Sequence, residues 1–239
     1  MESIVIEKVC KNYKNKQALD TICLKIKQGE LFGLLGVNGA GKTTLIKILC
    51  GLTQKTSGKV IVDGYNLDSE LDKIKEIVNV SPQETSVANN LTVKENLEFF
   101  ANIYQQNHTT AIPEIVNIFN LNEVLHQKAK TLSGGYKRRL SIAIALISKP
   151  KILFLDEPTL GLDVFARRQL WNIILRLKTK MTIILTSHYL EEIESLCDRV
   201  AVLSKGKVLQ TGTIASIKQI TDTPSFEEAF IKLVENANV

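Results

Sequence analysis

A glycine-rich segment near the N-terminus has the residue types and spacing of a phosphate-binding loop. Residues 36–43 read Gly-Val-Asn-Gly-Ala-Gly-Lys-Thr, which fits the pattern GxxxxGK[ST]. The segment follows a predicted strand, Leu31–Leu35, and precedes a predicted helix that runs from Lys42 to about Cys50. Glycines let successive amides point at one phosphate, and a helix N-terminus favours negative charge. We therefore expect Lys42 to reach the β- and γ-phosphates of a nucleotide and the Thr43 hydroxyl to help hold Mg²⁺. Contacts are expected from Gly36, Asn38, Gly39, Ala40, Gly41, Lys42, Thr43 and Thr44.

Two carboxylates follow the apolar run Ile152–Leu155 directly. Acids at the carboxyl end of a buried parallel strand lie in the crevice where such sheets bind ligands. Asp156 suits a Mg²⁺ partner, and Glu157 is placed to polarise an attacking water. An Asp-Glu pair alone is equally consistent with a solvated turn. Together with the phosphate loop, it predicts the second half of a nucleotide-hydrolysing site.

A second glycine motif, Leu-Ser-Gly-Gly-Tyr at residues 132–136, begins another predicted helix. Ser133 and the amides of Gly134 and Gly135 could form a second anion-binding cradle. One nucleotide has one terminal phosphate, and the first loop already binds it. Two cradles in one chain therefore suggest that a second copy supplies the other half of each site. The alternative is a capped helix with a glycine hinge.

The predicted elements fall into three groups. Strands crowd the N-terminal part, at Ser3–Val9, Ile22–Ile26 and Gly58–Gly64, as in an antiparallel flap beside a parallel sheet. Residues 83–148 are mostly helical, and a capping box at residues 92–95 precedes the first helix of this insert. Two apolar runs, residues 152–155 and 182–186, flank a helix and suit a buried parallel sheet.

Composition narrows the class of protein. The chain has 239 residues, 44% hydrophobic and 23% charged, which fits one globular domain. Its net charge of +5 is spread along the chain, and Lys137–Arg139 is too short for a nucleic-acid-binding arm, so no nucleic acid is expected. We expect no signal peptide, because charged residues interrupt the first apolar positions, and no membrane helix, which requires about 20 apolar residues. The four scattered cysteines are typical of reduced thiols.

Taken together, the motifs resemble the nucleotide-binding domain of ABC (ATP-binding cassette) ATPases over essentially the whole chain. The phosphate loop, the Leu-Ser-Gly-Gly-Tyr signature, the Ile-Leu-Phe-Leu-Asp-Glu strand and their spacing all match. Gln83 resembles the glutamine of the Q-loop, and Asp163 in Leu-Gly-Leu-Asp resembles the D-loop aspartate. His188 resembles the switch histidine, and Tyr13 stands where the family stacks an aromatic ring on adenine.

The resemblance implies an α/β fold of the P-loop NTPase type, with a RecA-like parallel core sheet, an antiparallel β subdomain and an inserted α-helical subdomain. It implies one ATP-binding domain over 1–239, with the core and β subdomain in 1–82 and 149–239 and the helical subdomain in 83–148. Glu157 would be the general base, assisted by His188 and Lys42. The Mg²⁺ ligands would be Thr43, Gln83 and Asp156. The nucleotide contacts outside the phosphate loop would be Tyr13, Gln83, Ser133, Gly134, Gly135 and Asp163.

The resemblance also implies partners. Two such domains close head to tail around two MgATP, as a homodimer or a heterodimer, and act on a transmembrane permease subunit at the inner face of the cell membrane. Lys137 stands where the family more often has glutamine, and Leu160 precedes Gly161 in the D-loop. At these two positions, and in residues 189–192 and 225–230, the sequence resembles the branch of the family that drives ABC-2-type exporters. A soluble mechanical ATPase acting on ribosomes or DNA, an import ATPase and a non-hydrolysing regulator are the alternatives.

Overall fold

A computed structural model describes residues 1–14 and 16–237. Within these ranges, ten strands form two sheets and nine α-helices surround them. The strands are β1 (Glu2–Tyr13), β2 (Lys16–Lys27), β3 (Leu31–Leu35), β4 (Ser57–Val62), β5 (Tyr65–Asn66), β6 (Val78–Ser81), β7 (Ile152–Asp156), β8 (Thr182–Ser187), β9 (Arg199–Ser204) and β10 (Lys207–Gly212). The helices are α1 (Lys42–Leu49), α2 (Leu71–Ile77), α3 (Val93–Ile103), α4 (His108–Ile118), α5 (Gly134–Ile147), α6 (Val164–Lys178), α7 (Leu190–Leu196), α8 (Ile214–Thr221) and α9 (Phe226–Asn236).

The first sheet is antiparallel, with strand order β2-β1-β4-β5, which confirms the predicted flap. Its second strand is longer than the predicted Ile22–Ile26. The additional residues are mostly polar, although Leu19 among them is fully buried, and they pair with β1 as far as Tyr13, opposite Lys16. Backbone pairing across the sheet therefore extends this strand beyond the short apolar alternation from which it was predicted.

The second sheet has the order β10-β9-β3-β8-β7-β6; the five strands from β9 to β6 run parallel, and β10 pairs with β9 in the antiparallel direction. β3, β7 and β8 are buried along their whole length, as expected for strands covered on both faces. Because parallel strands end at the same edge, the segments that follow four of them meet there. These segments contain Gly36 after β3, His188 after β8, Glu157 after β7 and Gln83 after β6.

The segment between β6 and β7 is helical, as predicted. The capping box is present: the Glu95 amide donates to Thr92 Oγ1 (3.1 Å), and the Thr92 amide donates to Glu95 Oε2 (2.7 Å). α4 begins at His108, where Asn107 caps a polar first turn by accepting from the Thr109 amide, a start that apolar periodicity does not reveal.

Two apolar clusters cover the two faces of the parallel sheet. One lies between this sheet and the antiparallel sheet and includes α1, and the other joins the parallel sheet to the helical segment and to α6, α7 and α9. The C-terminal helix buries Phe226 and Ala229 against this second cluster, as its predicted apolar face requires. Among the described residues, no helix has the length and apolar character needed to cross a lipid bilayer.

Candidate active site

A cavity of about 510 Å³ opens at the carboxyl edge of the parallel sheet, around the predicted phosphate loop. It brings together most of the residues predicted for one half of the nucleotide site. It also contains three positions that were not predicted as ligands, Lys16, Ala18 and Leu160. The predicted residues in its lining are Tyr13, Asn38, Gly39, Ala40, Gly41, Lys42, Thr43, Thr44, Gln83, Glu157 and His188.

The phosphate loop requires glycine at two positions. Gly41 has φ of +107°, and a Cβ there would lie 2.9 Å from the Ala18 carbonyl oxygen. A Cβ on Gly36 would lie 2.4 Å from the Leu203 carbonyl oxygen. Both contacts are with backbone atoms, which cannot rotate away as a flexible side chain could. The loop conformation therefore depends on these two glycines.

Lys42 is the first residue of α1, and its ammonium group lies inside the loop. The side chain is 6% exposed, and Nζ donates to the Gly36 carbonyl oxygen at 2.6 Å. Nζ also lies 3.6 Å from Glu157 Oε1. A buried ammonium held by carbonyl and carboxylate oxygens is positioned for a negatively charged ligand in the same loop.

Asp156 ends β7 beneath the cavity and accepts hydrogen bonds from two hydroxyl groups. Thr43 Oγ1 donates to Oδ2 at 3.1 Å, and Thr186 Oγ1 donates to Oδ1 at 2.5 Å. Asp156 is 5% exposed and is paired in register with Thr186 on β8. The carboxylate is thus fixed in place, with one oxygen beside the hydroxyl of the first helical turn.

These groups fit a Mg²⁺ ion, which prefers oxygen ligands and usually keeps several waters. Thr43 and Asp156 provide a hydroxyl and a carboxylate in contact, and Gln83 lines the cavity beside Thr43. We retain these three residues as proposed ligands.

Glu157 lies between His188 and Lys42 of the phosphate loop. Its Oε2 is 2.5 Å from His188 Nδ1, a contact in which the ring nitrogen donates when the carboxylate is ionised. The residue has φ of +49°, a left-handed conformation that costs about 1–2 kcal/mol for a non-glycine residue. Thr186 Oγ1 accepts from its amide at 2.9 Å and stabilises this conformation. The result is a carboxylate, 7% exposed, that faces the cavity.

The remaining predicted ligands lie elsewhere on the chain. Ser133, Gly135 and Asp163 line a second cavity of about 710 Å³, between the helical segment and α6. Ser133 caps α5 by accepting from the Tyr136 amide at 3.4 Å, and Asp163 caps α6 by accepting from two amides at 2.9 Å. Gly134 is exposed at the start of α5. One chain therefore presents two separate groups of predicted nucleotide contacts.

The family described as ABC transporter matches residues 19–160, more than half of the chain. The chain belongs to this family. It is an ATP-binding domain with ATPase function, and its α/β fold is that of ABC ATPase subunits.

Two curated relatives and one solved structure illustrate the relationship. The linearmycin resistance ATP-binding protein LnrL of Bacillus subtilis is 40% identical over 211 residues, which cover 87% of this chain and 68% of LnrL. The probable multidrug ABC transporter ATP-binding protein YbhF of Escherichia coli is 35% identical over 242 residues, 98% of this chain but only 42% of YbhF. The chain thus spans less than half of the latter relative.

The solved structure is a dimer of the ATP-binding cassette MJ0796 in a post-hydrolysis state with ADP and Pi. It superimposes with a TM-score of 0.79 at 26% identity, covering 88% of this chain and 98% of MJ0796.

Sequence reasoning missed three buried residues next to the site of this ABC ATPase. Thr186 bonds both carboxylate residues, but a threonine inside a buried strand carries no distinct signal. Arg138 was interpreted only as part of a short basic cluster, although it is 3% exposed. Glu192 was noted only as part of a branch-specific motif, yet it is fully buried and accepts from the Trp171 indole at 3.1 Å.

Glu192 has an unusual protonation equilibrium. Burial raises its pKa above the ordinary value of 4.5, and the nearby Glu157 carboxylate adds to the rise. The hydrogen bond from the Trp171 indole opposes this rise without cancelling it. A raised folded-state pKa means that the native state binds a proton that the unfolded state releases. The Glu192 carboxyl therefore contributes to the stability of the folded state below about pH 4.5, and this contribution is lost as the pH rises through the folded-state pKa.

We expect Glu192→Gln to make thermal stability less dependent on pH. Glutamine keeps the size and the acceptor for Trp171 but cannot ionise, so the variant should gain stability relative to the parent as the pH rises from 5 to 8. Melting temperatures of both proteins across that range test this. Glu191→Gln, an exposed neighbour, is the control. A constant difference between Glu192→Gln and the parent at every pH would contradict the assignment.

Proposed function

We propose that this chain is the ATP-hydrolysing subunit of an ABC exporter and that it binds MgATP between two copies arranged head to tail. The observation that carries the proposal is the division of the predicted ligands between two cavities of one chain. The first contains Lys42, Thr43 and Glu157, and the second contains Ser133 and Asp163. A site that needs both groups is complete only when the second cavity of one copy faces the first cavity of another.

In this proposal each residue has a defined task. The phosphate loop binds the triphosphate through its amides and Lys42, and Tyr13 stacks on the adenine ring. Thr43, Gln83 and Asp156 hold Mg²⁺, which supplies charge neutralisation for the transferred phosphoryl group. Glu157 accepts a proton from the attacking water, and His188 keeps that carboxylate oriented.

In this proposal, ATP binding drives the two copies to close on each other, and this closure is the movement that the membrane partner uses. ATP favours the closed dimer because it contacts both copies in that state and one copy in the open state. We place the ATP-binding core and β subdomain in residues 1–82 and 149–239, and the helical subdomain in residues 83–148. Gln83 stands at the junction, so it is the position where nucleotide contacts reach the helical subdomain. A homodimer is the simplest assembly, because this chain contains every motif.

Export is supported by the names of the relatives, which refer to resistance and to multidrug transport. The partner we propose is a transmembrane permease subunit, which would hold this chain at the inner face of the cell membrane. Its docking site would include apolar side chains that α3 exposes: Phe99 is 52% exposed and Ile103 is 54% exposed. These two side chains are four residues apart and therefore lie on one face of α3, and aromatic residues are enriched in protein interfaces.

A pull-down tests the transporter function. Tagged Glu157→Gln protein is expressed in its native cell, trapped with ATP and purified after mild solubilisation of membranes. We expect a polytopic membrane protein to co-purify, and its sequence would separate export from import. Adding Phe99→Glu should remove that partner, because a carboxylate would be desolvated in the interface.

The matched control is Ile220→Glu on α8, a side chain 62% exposed and remote in sequence from α3, which should retain the partner. Recovery of ribosomal proteins or DNA-repair factors without any membrane protein would instead support a soluble mechanical ATPase. Equal recovery of the membrane protein with Phe99→Glu would reject the docking site but not the transporter function.

A further inference from the structure

A buried arginine joins three segments of the site. Arg138 lies in the second turn of α5 and is 3% exposed. Its guanidinium donates to four main-chain carbonyl oxygens and fills the space between them. The bonds are Nε to Pro158 O (2.8 Å), one terminal nitrogen to Pro82 O (2.5 Å) and Gln83 O (3.2 Å), and the other to Asp156 O (2.8 Å).

The acceptors adjoin the proposed catalytic and metal-binding groups. Gln83 is itself one acceptor, and Pro82 precedes it in the turn after β6. Asp156 and Pro158 are the two neighbours of Glu157 in the chain, so the arginine bonds the backbone on both sides of the proposed base. The same helix begins with the signature glycines at its N-terminus.

The guanidinium keeps its charge in this environment. Burial lowers the pKa of Arg138 to about 10, and the carboxylates of Asp156, Glu192 and Glu157 limit the decrease. Arg138 is therefore protonated at neutral pH, and it offsets the charge of buried acids while donating to backbone oxygens. A planar group with five donors can reach acceptors on separate segments, whereas an ammonium is a single compact donor centre.

We propose that Arg138 is a positioning residue that fixes Gln83 and Glu157 relative to the signature end of α5. Its side chain lies outside the lining of the phosphate-loop cavity, and it acts through the backbone of Gln83 and of the residues on either side of Glu157. Movement of the helical subdomain and alignment of the general base are thereby coupled through one side chain. The inference rests on the proposed ATPase site and adds a residue to it.

Arg199 offers a comparison away from both cavities. It is the first residue of β9, and its side chain is 25% exposed. Its guanidinium donates to Glu30 Oε1 at 3.1 Å and lies over the Phe32 ring at 5.5 Å. Neither Arg199 nor these two partners line the proposed nucleotide cavities, so an Arg→Lys exchange here reports the general cost of losing a partly buried guanidinium from this fold.

The test compares the purified parent chain, Arg138→Lys and Arg199→Lys. Steady-state ATP hydrolysis gives kcat and KM, binding of a fluorescent ATP analogue gives the dissociation constant, and melting temperatures report folding. We expect Arg138→Lys to lower kcat by about 30–100-fold, the scale for displacement of a catalytic group by about 1 Å. Its nucleotide dissociation constant should stay within about threefold of the parent value, and Arg199→Lys should keep kcat within about threefold, because neither change alters phosphate-loop contacts.

Equal losses of kcat in the two variants, or a loss of Arg138→Lys activity that lies wholly in nucleotide binding, would overturn the inference.

A double-mutant cycle with Gln83→Ala gives a second measurement. The losses should be less than additive if Arg138 acts through Gln83, and full additivity would count against it. If Arg138→Lys does not fold, Arg138→Gln, which keeps two donors, replaces it in both comparisons.

The experiments distinguish a failure of the proposed ATPase function from a failure of the proposed role of Arg138. A parent protein that binds or hydrolyses no ATP would overturn both proposals. An active parent that Glu157→Gln inactivates, together with an unimpaired Arg138→Lys, would overturn only the role of Arg138.

Discussion

Replacing Glu157 by glutamine is expected to lower the turnover number of ATP hydrolysis by about 10²–10⁴-fold, the usual contribution of a positioned general base. The exchange keeps the side-chain size and the contact with His188, now 2.5 Å from the carboxylate, but it removes the proton acceptor. Nucleotide affinity should change little, because the phosphate-loop amides remain. Phosphate release under saturating ATP, together with an equilibrium binding measurement, separates the two effects.

Glu191→Gln is the control for this exchange, because its side chain is exposed and lies in the segment that follows His188. We expect it to retain the parent turnover. If Glu157→Gln hydrolysed ATP at nearly the parent rate, the base would have to be another group and the assignment of Glu157 would be wrong. A large loss in nucleotide affinity without a loss in kcat would indicate a binding role instead.

Replacing Lys42 by alanine is expected to weaken nucleotide binding by roughly 30- to 1,000-fold. The ammonium is buried in the loop, where truncating one partner of a buried charge pair costs about 2–4 kcal/mol. The exchange also leaves Glu157 without the cation that lies 3.6 Å from its Oε1. Titration with a fluorescent ATP analogue measures the loss directly.

Lys47→Ala is the matched control, because Lys47 lies on the exposed side of the same helix. It should bind nucleotide as the parent does and should alter stability by a few tenths of a kcal/mol at most, on the order of helix propensity differences. Unchanged affinity and rate in Lys42→Ala would contradict our interpretation of the loop. A melting temperature measured for each variant excludes unfolding as the cause.

Several elements could be predicted because their signal is local. The capping box at Thr92 and the strand at residues 31–35 depend on residues a few positions apart, and both are present as predicted. Elements whose formation depends on distant partners were missed or shortened. β6 is only four residues long, and it forms because it pairs with β7, which lies more than 70 residues away. The N-terminal half of β2 likewise forms through its pairing with β1.

The sequence by itself determined the residue types of the site and its family. A phosphate loop needs glycines, one lysine and one hydroxyl in a fixed order, and this order is visible in residues 36–43 without any coordinates. The same holds for the carboxylate pair after β7, because a buried strand that ends in acids is a local pattern.

Only the tertiary structure decided which of these residues meet and what supports them. It brings Glu157 to His188 and to Lys42, and it puts Ser133 with Asp163 in a separate cavity. It also revealed Thr186 and Arg138, whose partners are far apart in the chain. Hydrogen bonds to main-chain carbonyls cannot be predicted from the residue type of the acceptor, since every residue has a carbonyl. Their geometry depends on how parallel strands and a helix from another segment pack together.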